Sequence, residues 1–279
     1  FWWLDWQQGG VTRQKGLDPL WMLNHMHYLD SGRGGNWPLT FSRYAGPGSH
    51  RYPVGFSGDT IVTWESLAFQ PQFTATASNI GYGWWSHDIG GHMFGYRNEE
   101  LEARWYQLGA FSPINRLHSS NSPFSGKEPW NFNRDVSAAM VDALRLRHAM
   151  MPYLYTMNYR AAEAGRPLVE PMYWQNPDTP DAYEVPDEFR FGTELVVAPI
   201  VSPDDAAACR GRADAWLPQG EWFDFFDGRR YVSSDAAGRR LEVWRSLDRT
   251  PVFAKAGAIV PLQDVAESGE AINSIANPQ

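Results

Sequence analysis

Five charged or titratable side chains each close a short strand-like run, and together their types could do chemistry. Asp5 follows Phe1-Trp2-Trp3-Leu4, and Arg43 follows Leu39-Thr40-Phe41-Ser42. Asp59 follows Val54-Gly55-Phe56-Ser57-Gly58, Asp88 ends Trp84-Trp85-Ser86-His87, and His118 ends Pro113-Ile114-Asn115-Arg116-Leu117. One Asp behind a strand is usually a turn former or a cap. Five successive strands delivering a titratable group at the same end is a stronger pattern. A charge beside Trp2 and Trp3 costs desolvation free energy unless a site uses it. Two carboxylates facing a Trp-lined cleft point to glycosidic bond cleavage, one attacking or stabilising the anomeric carbon and the other protonating the leaving oxygen. Aromatic faces cover the apolar faces of sugars, which gives a use to 14 Trp, where an average chain of this length holds about four.

Competing motifs are weaker. Gly55-Phe56-Ser57-Gly58-Asp59 resembles a serine nucleophile elbow, but Asp59 stands where the last glycine is needed. His87 and His92 flank Asp88 at a spacing that is not the i, i+4 pair of a zinc helix, so no metal is expected. His25 and His27 are two apart on a helix and fall on different faces, which suits solvated or core-edge roles. No cofactor motif is present.

These groups need elements to hold them. Asp18-Pro19 caps a helix over Leu20 to Asp30 that stops at Ser31-Gly32. Strand-like runs follow at Pro38 to Arg43 and Tyr52 to Ser57. Thr63 opens a helical stretch that Pro71 is expected to interrupt, and Gly81 to Ile89 reads as the next strand. Asn98-Glu99-Glu100 caps a helix with Leu101, Trp105 and Leu108 on one stripe. Phe111 to His118 reads as a fifth strand. A long helix from about Asn133 to Ala164 carries Val136, Met140, Ala143, Leu144 and Arg147 at helical spacing. Pro152 should kink it, and Gly165-Arg166-Pro167 ends it. Strand alternating with helix predicts an α/β fold. Five strands fit a partial (β/α)8 TIM barrel, about strands 4 to 8, since a whole barrel takes about 250 residues and keeps its chemistry at the C-terminal strand ends. An open doubly wound sheet would need an early Gly-rich phosphate loop, which is absent.

From Pro167 the texture changes to short β runs at Leu195 to Ile200, Gly220 to Phe225 and Ala258 to Leu262, separated by Gly, Pro and Asp. The expected organisation is a barrel portion over 1–166, a small all-β sandwich over 167–262, and a polar tail over 263–279. Lys+Arg 24 against Asp+Glu 32 leaves −8 in net charge, so nucleic acid is a poor expectation for a partner. No run reaches 18 apolar residues, so no membrane span is expected. Cys209 is the single cysteine and excludes an intrachain disulfide. Localisation and oligomeric state are unreadable. A chain opening on Phe1 inside a strand is expected to be the back part of a longer protein. By itself it is expected to be inactive and poorly soluble, because aromatic strand edges would be unpaired.

At these residues a family resemblance becomes specific. Trp3-Leu4-Asp5, Arg43-Tyr44-Ala45-Gly46 leading to Arg51-Tyr52-Pro53-Val54-Gly55-Phe56-Ser57-Gly58-Asp59, Ser86-His87-Asp88-Ile89-Gly90-Gly91, and Gly109-Ala110-Phe111-Ser112-Pro113-Ile114-Asn115-Arg116-Leu117-His118-Ser119 resemble glycoside hydrolase family 31 in order and spacing. Phe191-Gly192-Thr193-Glu194-Leu195-Val196-Val197-Ala198-Pro199 resembles the family's C-terminal sandwich. The resemblance implies a retaining α-glycosidase, with oligosaccharides or α-glycosides, most often α-glucosides, as substrates. It places Asp5 at the nucleophile and Asp59 at the general acid/base. Arg43, Asp88, Arg116 and His118 fall at positions that hold sugar hydroxyls, with Trp3, Phe56 and Trp84 or Trp85 as walls. A retaining pair sits about 5–5.5 Å apart, with environments that separate the two pKa values. Departures are Trp6-Gln7-Gln8 after the nucleophile, Phe56 where Trp is frequent, and His92 where Phe often follows Ile-Gly-Gly. They leave open an α-xyloside or α-galactoside specificity and transglycosylation on the same site. A non-enzymatic carbohydrate-binding protein would keep the Trp wall but has no need for both Asp5 and Asp59.

Overall fold

The computed structural model describes residues 1–5, 14–43 and 46–265. Trp6-Gln7-Gln8 and most of the polar tail lie outside them. Four parallel strands, β1 (Trp2–Leu4), β2 (Thr40–Arg43), β3 (Pro53–Phe56) and β4 (Trp85–Ser86), pair in that order. Their registers run Trp3 to Phe41, Phe41 to Val54 and Phe56 to Ser86, so the C-terminal ends face one side.

Helices join them as the caps dictate. α1 (Pro19–Ser31) starts where the Asp18 carboxylate accepts from Leu20 N at 2.8 Å, with Pro19 in the first turn. α2 (Trp64–Ala77) starts at Thr63 and runs through Pro71. The expected interruption does not occur. Proline removes one backbone bond, and the buried stripe of Trp64, Leu67, Thr74 and Ala75 holds both halves in place. α3 (Glu99–Ala110) begins where Asn98 accepts from Leu101 N, with Glu99, Glu100 and Glu102 in its first turn complementing the helix dipole.

The segment from Phe111 to His118 forms no ladder. Ile89 N donates to Arg116 O at 3.3 Å, but Pro113 has no N–H to give. Two carbonyls here, with that of Ala110 at the end of α3, turn instead to the half-buried side chain of Arg147, which donates to Ala110 O, Ser112 O and Pro113 O at 3.2, 2.5 and 2.8 Å. The described residues therefore hold four paired barrel strands, with a fifth segment held by a side chain. The expected long helix is two, α4 (Arg134–Ala149) and α5 (Met151–Ala164), broken at Met150 because Pro152 occupies the first turn of the second.

Beyond them β5 (Val169–Pro171), β6 (Phe189–Phe191), β7 (Leu195–Val197), β8 (Gly211–Leu217), β9 (Gly220–Asp224), β10 (Arg230–Ser233), β11 (Arg239–Arg245) and β12 (Val252–Lys255) form two antiparallel sheets. Six strands run β10-β9-β12-β7-β6-β5, and β11 pairs with β8. The last strand is Val252–Lys255, not Ala258 to Leu262: Phe253 is fully buried, while Ile259 is 80% exposed.

The barrel helices and this β unit share one core, in which Trp105, Tyr106, Phe111 and Tyr153 of the first part meet Phe191 and Val252 of the second. Arg104 crosses the boundary. Buried in α3, it donates to Asp204 Oδ1 at 2.8 Å and to the carbonyls of Ser246 and Arg249. Arg104→Met is expected to lower stability by about 3–5 kcal/mol, because it strands a part-buried carboxylate and the carbonyls around it. Chemical denaturation measures this, and a loss under 1 kcal/mol (about one exposed pair) would contradict the role.

Candidate active site

The four strand ends converge as their registers require. Arg43, the last residue of β2, donates from Nε to Asp5 Oδ1 at 2.6 Å and from Nη2 to Asp59 Oδ1 at 3.0 Å. One guanidinium fork therefore holds both carboxylates, Asp5 just past β1 and Asp59 in the loop after β3. That fork needs Gly58. A Cβ there, at φ +87°, would come 2.2 Å from Arg43 Nη1.

Asp88, two residues past β4, is fully buried and accepts from Arg116 Nη2 at 2.5 Å, while Arg116 Nε donates to Ser86 Oγ at 3.0 Å. Burial pushes the Asp88 carboxyl up to about 6, against the downward pull of Arg116 and His92. Burial also lowers His118, to about 4, with Arg116 and His92 adding to it, so its imidazole is neutral near pH 7.

Below these polar groups lies an aromatic floor. Trp3 stacks on Phe56 at 4.7 Å and 24°, and Phe41 meets Trp3 edge-on at 5.0 Å. The Arg116 guanidinium carbon sits 5.2–5.4 Å from the centroids of Trp3, Phe41 and Phe56. His118 lies 5.8 Å from Trp3.

Eight expected site residues thus come together: Trp3, Asp5, Arg43, Phe56, Asp59, Asp88, Arg116 and His118. Trp84 and Trp85 do not join them. Trp85 is core, packed edge-on against Phe73 and Tyr82. Trp84 lies in a cleft with Pro167 and Trp174. Side chains alternate along a strand, and in β4 it is Ser86 that reaches Arg116. Part of the Trp excess fills cores instead of a cleft, since Trp64, Trp85, Trp105, Trp216 and Trp222 are all buried.

His87 also turns away. Trp105 Nε1 donates to its Nδ1 at 3.1 Å, so Nε2 carries the proton toward Ser112 Oγ at 2.8 Å. Burial takes this imidazole down to about 3. Ser57 Oγ donates to the neighbouring Gly58 carbonyl, so the serine of the elbow-like motif is turned to its own backbone and not to His87.

Sequence reasoning missed Phe41 and Ser86, which the two-residue strand period from Arg43 and Asp88 could have marked. It also missed His92, whose Nδ1 is 3.7 Å from Asp88 Oδ2 and whose Nε2 is 3.8 Å from Asp59 Oδ1. Asp88, His92 and His118 each bring one metal-ligand type of atom within 4.8 Å of the others. Arg116 already supplies a cation to that carboxylate. The loop bearing Asp88 is braced from behind. Lys127 Nζ donates to Gly91 O at 2.6 Å and lies 3.7 Å from buried Glu102, whose carboxyl burial raises to about 7. A cavity of about 970 Å³ opens nearby, lined by Leu117, Ser120 and Trp130 among others. Neither Asp5 nor Asp59 lines it, so converging charge, not cavity size, locates the site.

The model of the glycosyl hydrolases family 31 TIM-barrel domain matches residues 9–157, more than half of the chain. The chain belongs to glycoside hydrolase family 31. The family's C-terminal domain follows at residues 165–260. An alpha-glucosidase 2 of Bacillus thermoamyloliquefaciens is 31% identical over 236 residues, covering 85% of this chain and 29% of its own length. An alpha-xylosidase of Saccharolobus solfataricus is 30% identical, covering 80% of this chain and 30% of its own. A solved family 31 dextranase of Flavobacterium johnsoniae, in complex with isomaltotriose, superposes with a TM-score of 0.77 at 26% identity. That match covers 86% of this chain and 30% of the dextranase. The chain therefore spans under a third of the length of these family 31 relatives.

Proposed function

We propose that these residues are the sugar-cleaving centre of a retaining α-glycosidase whose substrate class is the α-glucosides, carried by a barrel portion over 1–166 and a sandwich over 167–262. One observation carries this: Arg43, at the end of the middle of three successive parallel strands, holds Asp5 and Asp59 from either side on a single fork. The names of the relatives, alpha-glucosidase and dextranase among them, support the choice of an α-glucoside.

In the first step an Asp5 oxygen attacks the anomeric carbon, the glycosidic C–O bond breaks, and Asp59 gives its proton to the leaving oxygen. In the second, Asp59 takes a proton from water. The water oxygen attacks the anomeric carbon, and the Asp5 ester bond breaks. Asp88, Arg116 and His118 hold hydroxyls over the Trp3–Phe56 floor. Product analysis of the intact protein on aryl α-glycosides tests this, and release of a β-configured sugar as first product would overturn it.

A pH dependence follows from Asp88. As pH falls through about 6, this carboxylate takes up a proton and loses its charge pair with Arg116 and an acceptor for a hydroxyl. kcat/KM of the intact protein is expected to fall below that pH in a limb that Asp88→Asn removes. Since folding raises this pKa, the stability contributed by the held proton is present at low pH. It is lost as pH rises from the ordinary carboxylate range through about 6.

A further inference from the structure

We propose that the cleft between Trp84 and Trp174, beside the N-terminal end of β4, is a second carbohydrate site that holds a neutral α-glucan chain away from the bond being cleaved. The sugar class rests on the function proposed above, while the site rests on other residues. Trp84 stands just before β4 and Asp88 two residues past it, so the cleft and the catalytic groups lie toward opposite strand ends. A glycosyl unit in the cleft is therefore not the one that Asp5 and Asp59 would cleave.

The cleft has a volume of about 330 Å³ and three walls: the turn before β4, α5 and the segment that opens the β unit. That is the size of a small ligand pocket. A Cβ on Gly83 would come 2.9 Å from Pro167 Cβ, so glycine lets the first and third walls meet. The small side chains of Ala161 and Ala162 keep the α5 wall back. Trp174 is held by its edge. Its Nε1 donates to Asn79 Oδ1 at 2.7 Å, Asn79 Nδ2 donates to the Tyr173 hydroxyl at 2.7 Å, and Tyr173 stacks on Tyr183 at 4.9 Å and 3°. An aromatic face fixed in this way binds with little further loss of freedom.

The chemistry of the lining selects the ligand. Trp84 and Trp174 are both half-buried, and indole faces can cover the apolar faces of pyranose rings. Trp84 Nε1 is neither buried nor hydrogen-bonded among the described residues, which leaves a donor for a hydroxyl. The amide of Asn158, exposed on α5, adds a donor and an acceptor. No charged side chain is among the described residues that line the cleft, so phosphates and charged peptides find no counter-charge there. A neutral polyhydroxylated ring matches this set of groups.

The intact protein carrying Asp5→Asn, to stop turnover, is titrated by calorimetry with maltoheptaose and with isomaltoheptaose. At least one of them is expected to fill a site that Trp174→Ala weakens about 10-fold or more, as truncating an aromatic anchor does. In the active protein, Trp174→Ala should raise KM for that heptasaccharide about 3–10-fold. It should leave kcat, and kcat/KM on a short aryl α-glucoside, within about 2-fold, because only remote binding is lost. Ala161→Met fills the cleft without removing a wall and should act the same way, which decides the matter if Trp174→Ala does not fold. Binding of both heptasaccharides unchanged by Ala161→Met would overturn the proposal. So would a cleft that takes a proline-rich peptide and neither sugar. If Asp5→Asn abolishes turnover and no site is lost with Trp174→Ala, the cleft alone fails. If Asp5→Asn keeps turnover while a site is lost, the reading of the catalytic centre fails and the cleft stands.

Discussion

Asp5→Asn is expected to abolish turnover of the intact protein, by about four orders of magnitude or more, as loss of a covalent nucleophile does. An amide cannot form the glycosyl ester. The substitution is close to isosteric, and Arg43 Nε can still donate to the amide oxygen in place of Asp5 Oδ1 at 2.6 Å, so the fold and the Arg43–Asp59 contact should survive. Substrate affinity should change little while kcat collapses. Rescue by azide, accompanied by a β-glycosyl azide product, would add the signature of a missing nucleophile. Turnover within about tenfold of wild type would remove Asp5 from the chemistry and, with it, the retaining reading.

Asp59→Asn has the second largest expected effect, and it depends on the substrate. Glycosides with poor leaving groups should lose about 10²–10⁴-fold in kcat/KM, whereas activated aryl glycosides should keep most of their glycosylation rate because their leaving oxygen needs little protonation. For activated substrates the glycosyl-enzyme should accumulate, since the same residue activates water in the second step. Mass spectrometry of quenched reactions would read it as one added sugar on Asp5. Equal losses across leaving groups would count against the acid assignment.

Both expectations rest on residues that are legible in the amino-acid order itself, and the reason is local. A strand shows its direction through where its apolar run stops, so Asp5, Arg43, Asp59 and Asp88 can be placed at one set of ends by counting. Caps are local too: Asp18, Thr63 and Asn98 begin their helices because a side-chain oxygen next to a free backbone N–H is a short-range arrangement. Pro71 misleads because local rules see one missing bond but not the buried stripe that carries α2 through it.

What local order does not reveal is which partner each side chain meets. Trp85 and Ser86 are neighbours on β4, yet the two-residue period sends one into the core and the other to Arg116. The period itself does not say which face is which until a helix covers one of them. Arg147 reads as one more position on a helical stripe, but it replaces a ladder by holding the carbonyls of Ala110, Ser112 and Pro113. His92 reads as a weak metal candidate four residues beyond Asp88, and only the approach of the loop after β3 sets it beside Asp59. The amino-acid sequence by itself determined the candidate inventory of charged groups and the order in which strands deliver it. The tertiary structure decided which groups share an oxygen, a proton or a guanidinium, because those contacts join residues far apart along the chain, 38 positions in the case of Asp5 and Arg43, and depend on the register between strands, which no local pattern encodes.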